Sequence, residues 1–283
     1  MPTKKLSIIS VALLVYFFCF NHVSFALSGS SEWINPIWQH ISTEKSVSVY
    51  DAQSPPKSLV SCSSYDAFKV FLKQRFENRS TSFSVNLNYT FDFSDVGNII
   101  TAACDEIGDE DGYIKGNIYS RHTSWSGYSG DVDITFTMTY WTNYEQEQLV
   151  TNRVAEIITQ IIAGGMNEEE KVKAIHDWVV LNVAYDQTLN KHSAYDALYG
   201  DKETVCQGYT LLTIRLLQDI NIDSKFVSGE GYSGGMWSSH AWNLVEACGN
   251  WHHMDTTWDD PLISPPDPDF IRWEYYLKSD VAM

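Results

Sequence analysis

The chain has 283 residues, of which 44% are hydrophobic and 14% aromatic, with a formal charge of −17. That is the composition of a globular protein, with enough apolar material to fill the core of one large domain or two small ones. The acidity argues against binding nucleic acid phosphates or anionic lipid, because both need clustered Lys and Arg.

Lys4 and Lys5 precede an apolar run from Leu6 to Phe20, and Ser24-Phe25-Ala26 puts small residues before a cut after Ala26. This order predicts a signal peptide over 1–26 and a secreted protein. The alternative is an uncleaved anchor, since apolar residues thin out only near Leu27, although roughly 20 are needed to span a bilayer. Losing Lys4 and Lys5 with the leader makes the charge about −19. Residues 27–57 are rich in Ser and Pro and read as a linker. Of the cysteines beyond the leader (Cys62, Cys104, Cys206 and Cys248), Cys62 with Cys104 is the first pair to consider for a disulfide. No CxxC pair supports a zinc or thioredoxin-type site, and no metal or cofactor is expected.

Residues 58–150 read as a small α+β domain. Phe68, Phe71 and Leu72 fall at helical spacing between Tyr65 and Arg75. Ser82 to Phe93 alternates strictly and predicts one strand, and Asp131 to Tyr140 a second. Between them, 95–106 reads as a helix and Tyr113 to Tyr119 as a short strand. A helix over Glu145 to Ala163 stops at Gly164-Gly165, with the domain boundary placed near residue 150. Asn167 is the predicted N-cap of the next, amphipathic helix, whose first turn holds Glu168, Glu169 and Glu170.

The chemistry concentrates between Thr204 and Pro261. Cys206 immediately precedes a helical pattern carrying Tyr209, Leu212, Leu216 and Leu217. A thiol at a helix N-terminus meets unpaired N–H groups and the positive end of the dipole, which favour thiolate, the nucleophilic form. Ser239 to Val245 and Trp251 to Thr257 predict two strands around a turn. A two-residue loop at Cys248-Gly249 would pair Ala247 with Asn250. Trp242 would then oppose Asp255, and His240 would lie on the same face as both. His240 and Asp255 become diagonal neighbours, roughly 7–8 Å apart at the backbone and within side-chain reach. His240 would take the Cys206 proton, and Asp255 would orient the imidazole. The Cys206 N–H is a natural oxyanion donor, with Tyr185, Tyr195 and Trp237 considered for the second.

Around these residues, EKVKAIHDWVVLNVAYD, HSAYDAL, VCQGYTLL, SHAWNLV and WHHMDTTWDDP occur in order between Glu170 and Pro261. This pattern resembles the transglutaminase-like superfamily in its bacterial extracellular branch. The resemblance implies a papain-like α+β core, with a cysteine helix packed on an antiparallel sheet, over 151–283. It carries nucleophile, histidine and aspartate to Cys206, His240 and Asp255. It also implies amide chemistry on protein or cell-wall peptide, by transfer or hydrolysis; the alternative is a non-catalytic surface binding module. The chain ends soon after WDDP, where relatives usually continue, so the last strands are expected to be missing or differently supplied. His176, on an apolar helix face, reads as a satisfied core histidine. His252 and His253 read as packing residues, and Asp259-Asp260-Pro261 as a turn.

Overall fold

The computed structural model describes residues 27–34, 59–110, 112–260 and 270–280. The leader and residues 35–57 of the predicted linker lie outside these. Where the linker is described it is not one: Leu27–Ile34 forms strand β1, antiparallel to β4. The serines and glycine there favour no element, and pairing with a long neighbour supplies the missing order.

The first half builds a five-stranded sheet in the order β1-β4-β5-β3-β2 from β2 (Val60–Cys62), β3 (Ser82–Leu87), β4 (Ile118–Tyr128) and β5 (Asp131–Tyr140), with β1 at the edge. Helices α1 (Tyr65–Glu77) and α2 (Val96–Glu110) bury Phe68, Phe71, Leu72 and Ile100 against Phe83, Val85, Leu87 and the inward residues of β5. Phe83 stacks on Phe136 at 4.9 Å. Each such side chain contributes about 1.5–3 kcal/mol through burial.

Two predictions fail here. The strand expected to reach Phe93 ends at Leu87, because its partner β5 begins at Asp131, paired with Tyr128 of β4 and beyond the Leu87–Val132 pair. The chain then turns through a 3₁₀ turn capped by Asp92. The strand expected over Tyr113–Tyr119 is instead helix α3 (Gly112–Asn117), with β4 starting at Ile118. Gly112 and Gly116 explain this. A Cβ on the first would meet Phe226, and one on the second Leu211, so α3 can press against the second half of the chain. That contact overrides the local preference for strand.

Helix α4 (Tyr144–Ile161) opens with a capping box of Asn143 and Gln146 and runs through the expected boundary at 150. Its Val150, Val154 and Ile157 enter the second core. Its buried Glu147 accepts from Tyr113 Oη at 2.7 Å, pairs with buried Arg79 at 3.2 Å and accepts from Thr142. Helix α5 (Glu168–Asn182) starts at Asn167, with a capping box completed by Glu170. Short strands β6 (Ala184–Tyr185) and β7 (Glu203–Thr204) flank helix α6 (Ala194–Leu198). Helix α7 (Cys206–Asp219), buried along most of its length, packs on a three-stranded antiparallel sheet of β8 (Ser224–Ser233), β9 (Met236–Ala247) and β10 (Asn250–Met254). Asn243 Nδ2 donates to the Thr210 carbonyl at 3.1 Å, fixing sheet to helix. The protein is therefore α+β, with a cysteine helix against an antiparallel sheet. The C-terminal segment adds one bridge beyond β10, between His253 and Lys278. Cys62, Cys104, Cys206 and Cys248 are all free, so the considered Cys62–Cys104 bridge is not formed.

Candidate active site

Cys206 is the first residue of α7, and the N-cap Val205 offers no side-chain cap. The helix therefore begins with backbone N–H groups facing outward beside the thiol. Three contacts fix this start. Val205 N–H donates to the Lys191 carbonyl at 2.9 Å, Thr210 Oγ1 donates to the Cys206 carbonyl at 2.8 Å, and Gln207 Nε2 donates to the Gly116 carbonyl of α3. Gly208 is required by space: a Cβ would stand 1.8 Å from Thr204 Oγ1.

The hairpin adopts the predicted register, with Ala247 opposite Asn250 and Asn243 opposite Met254. Cys248 and Gly249 form its loop, both with positive φ. The second strand is shorter than expected. It ends at Met254, and Asp255 instead caps the short helix α8 (Thr256–Asp259). Its two oxygens divide the work. Oδ1 accepts from the N–H of Thr257 at 3.0 Å and of Trp258 at 3.1 Å, while Oδ2 meets His240 Nε2 at 2.5 Å. The capping bonds thus hold the carboxylate in place for the imidazole.

His240 is buried, and Cys206 acts directly on its imidazole. With Nε2 taken by Asp255, Nδ1 is the nitrogen left for the thiol. Burial alone would lower the imidazole pKa. The bonds and charges of Asp255 and Cys206 outweigh it and hold the pKa up to about 10. The three residues picked from the sequence thus converge, with the imidazole between thiol and carboxylate.

Of the three hydroxyl and indole groups considered as second oxyanion donors, Tyr185 packs against Val205 and has its hydroxyl acted on by Cys206. Its pKa is pushed up to about 12 by burial, then by Cys206 and Asp186, so its hydroxyl keeps its proton. Tyr195 instead stacks on Tyr199 at 4.9 Å, and Trp237 is exposed beside Tyr232. Asp186 orders the loop after Tyr185 by accepting from the N–H groups of Thr188, Asn190 and Lys191. Tyr119 and Trp141, from the first half, pack with Tyr185 and Phe226 around Val205, next to the thiol. Trp141 lies 4.1 Å from His192, whose pKa burial lowers to about 4.

Several partners escape sequence reasoning. His176 is indeed a satisfied core histidine, between Asp177 at 3.0 Å and Asp259 at 3.1 Å. Asp259, read as a turn residue, is fully buried and ties α8 to α5. Asp260 accepts from Tyr209 Oη at 2.6 Å. His253, read as packing, accepts from Trp242 Nε1 at 2.8 Å. No local signal marks Asp259, because its partners His176 and the Tyr275 N–H are remote in sequence. Among the described residues, no cluster of His, Cys, Asp and Glu suits a metal ion.

Cys206, His240 and Asp255 thus form a buried thiol–imidazole–carboxylate line at the start of α7. Residues 155–256 match the model of the transglutaminase-like superfamily. It is 26% identical to Kyphoscoliosis peptidase of Mus musculus over 149 residues, 47% of this chain and 22% of that protein. Against Kyphoscoliosis peptidase of Homo sapiens it is 26% identical over 155 residues, 50% of this chain and 23% of that protein. The chain thus spans under a quarter of the length of these curated relatives. A crystal structure described as a TGase aligns over 71% of this chain and 59% of its own, at 13% identity and a TM-score of 0.34.

Proposed function

We propose that this protein is a secreted thiol enzyme that forms an acyl-enzyme at Cys206 and cleaves or transfers amide bonds of protein or cell-wall peptide. The observation that carries the proposal is the buried His240, which bonds Asp255 with Nε2 while Cys206 acts on the same imidazole. The Sγ thiolate adds to the amide carbonyl, forming a C–S bond and an oxyanion facing the Cys206 N–H and the Tyr185 hydroxyl. Collapse of this intermediate breaks the C–N bond, and the amine leaves with the proton held on His240 Nδ1. Water or a second amine then attacks the thioester and gives its proton to the same nitrogen. The C–S bond breaks and the thiolate–imidazolium pair is restored. Asp255 keeps the ring oriented and its positive charge compensated throughout.

Secretion is supported by the predicted leader. The curated relatives are named as peptidases, which agrees with amide chemistry. The test is iodoacetamide alkylation of Cys206 across pH, read by peptide mass spectrometry, with His240→Ala beside the parent. Fast labelling well below a free thiol's pKa of about 8.5, lost in the variant, supports the enzyme. Labelling that rises only near that value, unaffected by His240→Ala, turns the reading to a binding module that keeps the fold.

A further inference from the structure

His240 has ring contacts on its flanks that the chemistry above does not use. Trp258 stacks on it with centroids 4.6 Å apart and planes within 15°. Trp242 lies near-parallel to it at 5.8 Å and 23°. Each indole has its own anchor. Trp242 Nε1–H donates to His253 Nδ1 at 2.8 Å, and the edge of Trp258 meets Tyr275 of the C-terminal segment at 4.9 Å. The Trp258 backbone N–H is one of the two that bond Asp255, so the residue is fixed at both ends.

Strand β8 makes room for both rings. A Cβ on Gly231 would stand 2.6 Å from Trp258 Cζ2 and 3.3 Å from His240 Cβ, and one on Gly229 would stand 2.8 Å from Trp242 Cη2. Real Cβ atoms do not approach so closely, and the obstacles are rigid rings held in place. Neither glycine has a positive φ, so backbone conformation does not require it. In a strand a glycine is ordinarily a stability cost. Space for the indoles is what keeps these two.

We propose that Trp258 and Trp242 form a clamp that positions His240 as an imidazolium between Cys206 and Asp255, and that Gly231 and Gly229 are positioning residues that let the clamp close. This rests on the thiol chemistry proposed above. The physical basis is twofold. Aromatic faces attract a cation through their quadrupole, more strongly where water is excluded. Rings alongside the imidazole also block rotation about its side-chain bonds and keep water from the Asp255 bond. The titratable groups that act on His240 directly are Asp255 and Cys206.

The test uses the full chain and needs no substrate. Cys206 alkylation is followed across pH in the parent, Gly231→Ala, Trp258→Leu and Trp258→Phe, with thermal unfolding in parallel. The clamp predicts that Gly231→Ala still folds, with a melting temperature lowered by the overpacking, while its alkylation falls about tenfold on the acid limb, the change that one pH unit of displacement produces. Trp258→Leu shows the same fall, and Trp258→Phe, which keeps a ring face, recovers most of it. If Gly231→Ala does not fold, Gly229→Ala against Trp242 carries the same prediction. A parent limb that Gly231→Ala and Trp258→Leu leave in place overturns the clamp alone. A parent with no acid limb overturns the thiolate–imidazolium reading, and the clamp with it.

Discussion

Replacing Asp255 by Asn sets two functions of one side chain against each other. The carboxylate uses both oxygens as acceptors, one for the Thr257 and Trp258 N–H groups and one for His240. An amide has one acceptor. If its oxygen stays on the helix, its NH₂ faces His240 Nε2, which must then be an unprotonated acceptor. A neutral ring in that state carries its proton on Nδ1, the tautomer unable to take one from Cys206; the equivalent change in a Ser-His-Asp triad costs roughly 10⁴ in rate. If the oxygen turns to His240, the charge-assisted bond becomes a neutral one. Hydrogen bonds to charged groups contribute about 1.5–3 kcal/mol, so the imidazole pKa should fall from about 10 by about one to two. The two N–H groups of α8 would then face an NH₂, losing a cap at about 1 kcal/mol and about 2–4 °C in melting temperature. Alkylation of Cys206 against pH, with calorimetry of the same samples, reads both branches. Either the alkylation profile moves with stability kept, or both change. If Asp255→Asn overlays the parent in both, the carboxylate does not hold the imidazole and the reasoning is wrong.

Cys206→Ala should abolish amide cleavage or transfer while leaving the circular dichroism and melting temperature close to the parent's. Gly208→Ala should destabilise by about 1–3 kcal/mol through overpacking on Thr204, seen as a lower urea midpoint, since the obstacle at 1.8 Å belongs to a side chain itself bonded to the Lys191 carbonyl. Glu147→Ala leaves the Arg79 guanidinium buried without its carboxylate and should cost about 3–5 kcal/mol; Glu147→Gln, which keeps an acceptor, should cost less. The His240 pKa is raised on folding, so its stabilisation is complete below the ordinary value of about 6.5 and is lost as pH rises through about 10. Urea midpoints between pH 6 and pH 10 should therefore fall more steeply in the parent than in His240→Gln.

Much of the site was legible because its signals are local. A cysteine before an apolar helical period marks a helix start. The parity of a two-residue loop places His240, Trp242 and Asp255 on one face, whichever pair of residues makes the turn. What was not legible depends on partners remote in sequence. The alternation of Tyr89, Phe91 and Phe93 continues past Leu87, but no strand lies opposite to pair with it. Tyr113 to Tyr119 suits a strand until Phe226 and Leu211 arrive to fill the space above Gly112 and Gly116. Gly229 and Gly231 break the strand pattern of β8, and only the rings beside them explain why they are there.

Helix α3 also bears on how this protein can be divided. The carbonyl of Gly116 holds the Gln207 side chain next to Cys206, and the two glycines of α3 rest on Leu211 and Phe226. A fragment cut at residue 155 would start inside α4, remove the carbonyl to which Gln207 Nε2 donates and expose the apolar face of α7 that α3 and α4 cover. The segment that matches the superfamily model is thus less than a folding unit. Grafts and truncations of this protein should keep α3 together with the sheet and helices that support it, and not be planned from the edge of the match.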